Sequence, residues 1–449
     1  MKPSIPKGTR DYSPQEVYRQ NFIFSTIKEV FEKYGYQPIE TPVMENLNTL
    51  LGKYGDEGDK LLFKVLNNGD FLAKADLDAL DRRDSNAVIS SISKRGLRYD
   101  LTVPFARYVV MHQHEIQFPF KRYQIQPVWR ADRPQKGRYQ EFYQCDADAV
   151  GSDSLMFEAE YILMIDEVFT RLGLEVEIKL NNRKILEGIA EVAGIPDKMT
   201  GMTVAVDKLD KIGWEGVSGE LESSGISKAQ IGELKRLYAV AELGELKEAL
   251  STSEIGLTGV NEIMEVYEYL DTVQLSQNLI FDPTLARGLS YYTGCIFEVK
   301  SSEAQIGSML GGGRYANLTE VFGMPGVSGV GISFGVARIF DVMQELDRFP
   351  ENIDQPIQLL LIALDEECHR WSFRLLHTLR RNQISSHLYP EPAKLKKQMK
   401  YADNSSTPFV LMIGSEEMKL ERYTLKHMKS GEQWQLSLDE IVDKLKSTW

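Results

Sequence analysis

Val128-Trp129-Arg130-Ala131-Asp132-Arg133-Pro134-Gln135-Lys136-Gly137-Arg138-Tyr139-Gln140-Glu141-Phe142-Tyr143-Gln144-Cys145-Asp146 reads as a strand, a charged turn and a second strand. Pro134 and Gly137 punctuate the turn. From Lys121 to Arg138 there are six cations (Lys121, Arg122, Arg130, Arg133, Lys136 and Arg138) and one acid, Asp132. The planar fork of arginine matches phosphate and carboxylate oxygens in pairs, so a cationic hairpin tip points to an anionic ligand. Side chains alternate faces along a strand, which sets Phe142, Gln144, Asp146 and Asp148 on one side of the returning strand. One aromatic and three polar groups suit a pocket better than a core. Phe142 is suited to stack on a purine while Arg130 and Arg138 hold its phosphates.

A chain of 449 residues predicts about three domains. With 43% hydrophobic and 26% charged residues, the composition is that of a globular protein rather than a disordered or fibrous one. No apolar run reaches the roughly 18 residues of a membrane span, and Met1–Pro6 lacks the apolar segment of a secretory signal. Cys145, Cys295 and Cys368 are scattered and odd in number, which suggests neither a disulfide framework nor a zinc site. His112 and His114 are too few to hold a metal, so none is expected on protein ligands. A reducing cytoplasm is the simplest location.

The net charge of −13 argues, taken whole, against nucleic acid. It is unevenly spread. Residues 356–449 hold 14 Lys and Arg against 12 Asp and Glu, a net of +2, while the remainder holds 38 against 53, a net of −15. Local cationic clusters in an acidic body can still grip phosphates.

Periodicity predicts an amphipathic helix from Pro14 to Tyr34 and an extended, proline-bounded segment from Tyr36 to Val43. Residues 67–96 read as a polar connector with one short helix near Asp76–Arg83. Arg98–Pro104 starts as a strand and leads into a helix through Met111. A helix over Leu155–Leu172 and a strand over Leu174–Leu180 follow. Residues 183–275 change character, being helical and rich in Glu and Lys, which suggests an inserted module. Beyond the linker Pro350–Pro356, strands Ile357–Ala363, Ile384–Leu388 and Phe409–Ile413 alternate with helices His369–Asn382 and Ala393–Ala402, which implies a parallel-type α/β sheet.

A second informative stretch is Arg287-Gly288-Leu289-Ser290-Tyr291-Tyr292-Thr293-Gly294. It sets a guanidinium ahead of two adjacent phenols, with a strand from Cys295 to follow. The Val128–Asp146 stretch resembles motif 2 of the class II aminoacyl-tRNA synthetases in its histidyl version, and Arg287–Gly294 resembles the histidine-binding signature of that family. Gly311-Gly312-Gly313-Arg314-Tyr315 with Gly329–Arg338 is similar to motif 3, and Pro14–Val43 to the dimerisation motif 1. Lys7–Asp11 and Pro392–Asp403 extend the resemblance to both ends.

The resemblance implies an α+β catalytic domain with an antiparallel sheet of class II synthetase type, a helical insertion and a C-terminal α/β anticodon-binding domain. The boundaries are 1–182 and 276–349 for the catalytic core, 183–275 for the insertion and 350–449 for the last domain. It also implies a histidine–tRNA ligase, a homodimer by family habit, that activates L-histidine with ATP and magnesium and transfers it to tRNA(His). Arg130 and Arg287 would be catalytic cations on the α-phosphate. Asp100, Thr102 and Gln144 would hold the α-amino group. Asp148 and Tyr292 would read the imidazole, with Tyr291 lining the pocket. Asp132, Arg138, Phe142 and Arg338 would complete the ATP site, and Lys394, Lys396, Lys397 and Lys400 would meet tRNA. Asp132 stands where the family has Glu, Trp129 where it has Phe, and Ala337 where it has Glu. The competing expectation is a catalytically silent relative acting in regulation or tRNA sensing; such relatives tend to lose the arginine–tyrosine signature or the last domain, and this sequence has both.

Overall fold

The structure, a computed structural model, describes residues 2–52, 55–135, 137–240, 242–286, 292–316, 319–351, 353 and 357–448. Two compact units divide the chain: Met1–Asp11 with Gln20–Arg348, and Tyr12–Arg19 with Phe349–Trp449.

The first unit is built on an eight-stranded sheet. Its strands are β1 (Gln37–Pro38), β2 (Phe120–Trp129), β3 (Glu141–Val150), β4 (Val176–Asn182), β5 (Asn278–Phe281), β6 (Cys295–Ser301), β7 (Leu310–Tyr315) and β8 (Gly329–Gly335). They lie in the order β1-β2-β3-β8-β7-β6-β4-β5. The five inner pairings are antiparallel, and both edge pairings, β1 with β2 and β4 with β5, are parallel. The sheet is thus mixed at its margins around the antiparallel centre that the family resemblance implies.

Alternation gives the sheet two unlike faces. On one face a row from Tyr123 through Ala147, Ile332, Gly312 and Phe297 to Leu180 crosses six strands. Two helices cover it, α1 (Pro14–Lys33) and α3 (Met156–Arg171). Ile23, Ile27, Val30 and Phe31 of α1 are fully buried, and the Phe31 ring lies 5.7 Å from Tyr123 and 5.9 Å from Phe334. The other face carries polar groups and glycine, and α2 (Thr102–Met111) accompanies it. Val103, Phe105 and Val109 of α2 share a cluster with Val150 and Tyr315.

A buried ion pair ties α3 to β7. Arg314 Nε and Nη2 donate to the two carboxylate oxygens of Glu158 at 2.5 and 2.6 Å. Its remaining hydrogens go to the carbonyls of Ser152 and Ser154 and to the Ser328 hydroxyl. All five guanidinium donors therefore have acceptors, the condition for tolerating such a charge away from water.

Between Asn182 and Leu270 the chain is helical among the described residues, opening with α4 (Arg183–Val192) and closing with α5 (Glu254–Leu270). Two expectations upstream need correction. The connector 67–96 holds a second helix, Ser85–Ile92, started by the Asp84 carboxylate accepting from the Ala87 amide. Its Ser- and Asn-rich sequence has weak helix propensity, and the cap offsets that. The expected strand at Arg98 ends earlier, at Leu97. Arg98 is instead fully buried, donating to the Pro127 and Thr41 carbonyls and to Gln126.

The second unit holds β9 (Leu359–Ala363), β10 (Ser386–Leu388), β11 (Phe409–Ile413), β12 (Tyr423–His427) and β13 (Gln433–Leu436), in the order β10-β9-β11-β12-β13. The first three strands are parallel, as predicted. The last two add an antiparallel hairpin that the alternating pattern did not announce. Helices α7 (Glu366–Arg381), α8 (Leu395–Asn404) and α9 (Leu438–Thr448) complete the unit, with α6 (Val336–Glu345) belonging to the first. Leu375 and Leu379 of α7 and Ile441 and Leu445 of α9 pack with Leu361, Leu411 and Leu425 of the sheet.

Removing one partner of a buried pair leaves a charge without an answer. Glu158→Ala is expected to lower the unfolding free energy by about 3–5 kcal/mol, whereas Glu233→Ala, which breaks the exposed pair with Arg236, should cost less than about 1 kcal/mol. Urea denaturation of the two variants checks this, and equal losses would contradict it.

Candidate active site

Two adjacent rows cross the polar face. Arg122, Asp148, Gly331 and Gly313 stand side by side on β2, β3, β8 and β7; Gln124, Asp146, Ser333 and Gly311 form the next row. A cavity opens over them, lined by Asp146, Asp148, Ser333 and Gly311 from the sheet, by Thr102 at the start of α2 and by Tyr292. The glycines make that floor possible. A Cβ on Gly331 would lie 2.2 Å from Asp148 Oδ1, and one on Gly313 would lie 2.9 Å from Tyr292 Cδ1. Both distances are too short for any side chain.

Asp148 is held from two sides. Arg122 Nη2 lies 2.7 Å from Oδ2, and the Tyr315 hydroxyl donates to Oδ1 at 2.8 Å. The Arg122 guanidinium rests over the Phe105 ring, 4.3 Å from its centroid. Burial pushes the Asp148 carboxyl above its ordinary value, against the pull of Arg122 and Tyr315. Burial pushes Asp146 up to about 7; Arg122 opposes that shift and Asp148 adds to it. Gln144 donates to the Ser333 hydroxyl at 2.7 Å. Asp100 is buried, and its Oδ1 accepts from the Val103 amide at the start of α2.

Beside this cavity lies the motif 2 turn. Arg130 Nε donates to the Tyr99 carbonyl at 3.0 Å, and its guanidinium sits 4.3 Å from the Tyr99 ring centroid and 5.2 Å from that of Phe142. Arg138 lies 3.7 Å from Asp132. Arg338, in the first turns of α6, donates to the Gly137 carbonyl at 3.2 Å and to that of Ser308. The turn and the motif 3 helix are thereby joined. The N-terminal segment reaches the same loop, where the Gln140 amide donates to the Gly8 carbonyl at 2.8 Å.

The residues predicted from sequence thus fall into two neighbouring sets. Thr102, Asp148 and Tyr292 share the cavity, with Gln144 and Asp100 alongside through Ser333 and α2. Arg130, Asp132, Arg138, Phe142 and Arg338 surround the turn. Arg287 and Tyr291 lie outside the described residues. The four lysines are all exposed at the start of α8, and Lys397 is paired with Glu391 at 2.8 Å. Two of the six hairpin cations are not at the tip. Arg122 is committed to Asp148, and Lys121 pairs with Glu160 and donates to the Tyr34 carbonyl. Sequence reasoning did not find Tyr315, although its two-residue spacing from Gly313 puts it on the same face.

A largely antiparallel sheet with this hairpin, a glycine floor and an arginine-headed motif 3 helix defines the catalytic domain of a class II aminoacyl-tRNA synthetase. The family model for histidyl-tRNA synthetase matches residues 8–74 and 84–339, and that for an anticodon binding domain matches 358–448. A histidine–tRNA ligase of Christiangramia forsetii is 53% identical, with 99% of this chain and 100% of the relative covered. One of Bacteroides fragilis is 54% identical, with 99% of each covered. The crystal structure of histidyl-tRNA synthetase from Nostoc sp. PCC 7120 superposes with a TM-score of 0.85 at 28% identity, covering 100% of both chains. This chain belongs to the histidyl-tRNA synthetase family.

The raised Asp146 carboxyl has a consequence for stability. The unfolded chain gives up this proton near pH 4 and the folded chain near 7, so its contribution is full below pH 4 and is lost as the pH rises to about 7. Between pH 5 and 8 the wild type should lose on the order of 3 kcal/mol relative to Asp146→Asn, which has no proton to give. Urea unfolding of both proteins at the two pH values tests it; parallel pH profiles would refute it.

Proposed function

We propose that this chain is a histidine–tRNA ligase that activates L-histidine with ATP and transfers the histidyl group to the 3′ end of tRNA(His). The observation that carries this reading is the meeting of Thr102, Asp148 and Tyr292, from three distant segments, on one cavity beside the arginine-lined turn.

In the first step an oxygen of the histidine carboxylate attacks the α-phosphorus of ATP. A phosphorus–oxygen bond forms, the bond to pyrophosphate breaks, and histidyl-adenylate results. A ribose hydroxyl of tRNA then attacks the carbonyl carbon and AMP leaves. Two anions must approach in the first step, so the requirement is neutralisation and alignment rather than a side-chain nucleophile. Arg130 serves the α-phosphate and the carboxylate, with Arg287 as its counterpart. Arg138 and Arg338 take the polyphosphate, and Phe142 stacks on adenine with Asp132 at its edge. Asp100, Thr102 and Gln144 hold the ammonium. Asp148 accepts from one imidazole nitrogen and Tyr292 meets the other, with Tyr291 lining the pocket. A neutral imidazole has one donor and one acceptor, and a site matched to both discriminates by roughly 10⁴-fold against analogues lacking them.

Magnesium would travel with the nucleotide. No helix among the described residues is long and apolar enough to cross a membrane. A homodimer and a cytoplasmic location complete the reading, with catalytic segments 1–182 and 276–349, a helical insertion 183–275 and an anticodon-binding domain 350–449. The exposed Lys394, Lys396, Lys397 and Lys400 are offered to the phosphates of tRNA.

ATP–pyrophosphate exchange should depend on histidine, and exchange without that dependence would leave the silent relative as the better account. Arg130→Ala and Arg287→Ala should each reduce exchange by about 10²-fold or more, with the thermal transition retained; near-normal exchange would remove that arginine from the chemistry. Replacing the four lysines together by Ala should weaken tRNA binding and flatten its dependence on salt while amino-acid activation continues. An unaltered salt slope would return the helix to an ordinary solvated surface.

A further inference from the structure

The polar face carries acceptors that no donor answers. Asp146 Oδ1, Gln144 Oε1 and Gln124 Oε1 are all buried without a hydrogen-bond partner among the described residues. They are neighbours. Asp146 lies opposite Gln124 in the β2–β3 ladder, and Gln144 is two residues before it on the same face. Asp146 is 1% exposed and lines the cavity with Asp148, Thr102 and Tyr292. Of the donors nearby, Gln124 Nε2 goes to Thr41 and Gln126 and Gln144 Nε2 to Ser333; Arg122 stands over the Phe105 ring in an ion pair with Asp148, although its nitrogens make no hydrogen bond among the described residues.

A buried acceptor without a donor keeps its full desolvation cost, the more so when it is charged. A cluster of them beside a cavity therefore calls for a ligand that brings several N–H groups and a positive charge. An ammonium brings three donors and no acceptor. A guanidinium would also satisfy the charge, but the substrate of the proposed reaction carries an ammonium next to the carboxylate that reacts.

The geometry points to Asp146 as a further substrate-binding residue, the carboxylate that receives the α-ammonium of the amino acid, with Gln144 Oε1 as a second acceptor. This rests on the reading of the cavity as the histidine pocket and adds a charge to the ammonium site of Asp100, Thr102 and Gln144. It also divides labour along β3. Asp148, pinned by Arg122 and Tyr315, faces the ring, and Asp146, with an oxygen unengaged, faces the amine. The raised pKa of Asp146 agrees with this, because an arriving cation offsets the burial that disfavours its anion.

The test compares Asp146→Asn with wild type in calorimetric binding of L-histidine, histidinol and imidazolepropionate. Histidinol keeps the ammonium and lacks the carboxylate; imidazolepropionate keeps the carboxylate and lacks the ammonium. The substitution should weaken histidine and histidinol by about tenfold or more and leave imidazolepropionate unchanged or tighter. Equal weakening of all three ligands, or none for histidine, would overturn the assignment. A second measurement needs no variant. At pH 7, in buffers of different ionisation enthalpy, histidinol binding to wild type should release protons from Asp146, whose field is set by Arg122, Asp148, Ser333 and Asp100. Imidazolepropionate should release fewer, and equal release by both would also overturn it. Failure of the pocket reading itself looks different, since wild type would then show neither histidine binding nor histidine-dependent exchange.

Discussion

A carboxylate cannot be kept at the bottom of a dry cavity unless its charge is answered in place, and the pocket of this protein is organised around that requirement at Asp148. Arg122 answers one oxygen from the neighbouring strand, and Tyr315 answers the other from two strands away. Between them the strand partner is Gly331, where any side chain would occupy the carboxylate's space. Tyr315 is itself fixed through its chain neighbour. Arg314 points to the opposite face, where Glu158 and three other groups take up all its donors. An ion pair behind the sheet thereby sets the position of a phenol in front of it.

The division between the two faces explains how one sheet serves stability and chemistry together. The row from Tyr123 to Leu180 is apolar and sealed by α1 and α3, so the backbone is held without help from the site. The opposite rows can then carry Asp146, Asp148, Ser333 and bare glycine, a combination that would not fold by itself. Rigid elements bearing a polar constellation give better geometric control than loops would.

Much of this was legible in the chain. Hydrophobic periodicity located α1, α3 and the strand Phe409–Ile413, and strict alternation put Gln144, Asp146 and Asp148 on one side of β3. What the sequence hid was pairing at a distance. Arg122 counted as one more cation of a phosphate loop, because only the ten-residue β2–β3 register reveals that it stands opposite Asp148. The two-residue strand β1 and the parallel edges are similarly set by tertiary contacts rather than by local pattern. The helix Ser85–Ile92 was missed because a single capping carboxylate, not propensity, starts it. The arginine and first tyrosine of the Arg287–Gly294 signature lie outside the described residues, so their roles rest on sequence alone.

The glycine at 331 also bears on how such a pocket could ever change its ligand. Shortening or lengthening the acid at 148 strands Arg122 and Tyr315, and filling position 331 evicts the acid. Altering either supporter leaves a buried anion exposed to its own desolvation. Each single step therefore costs stability, and only concerted replacement across four strands reaches another stable arrangement. Redesign of this pocket for a different amino acid should accordingly begin from combinations of these four positions, with effects that do not add.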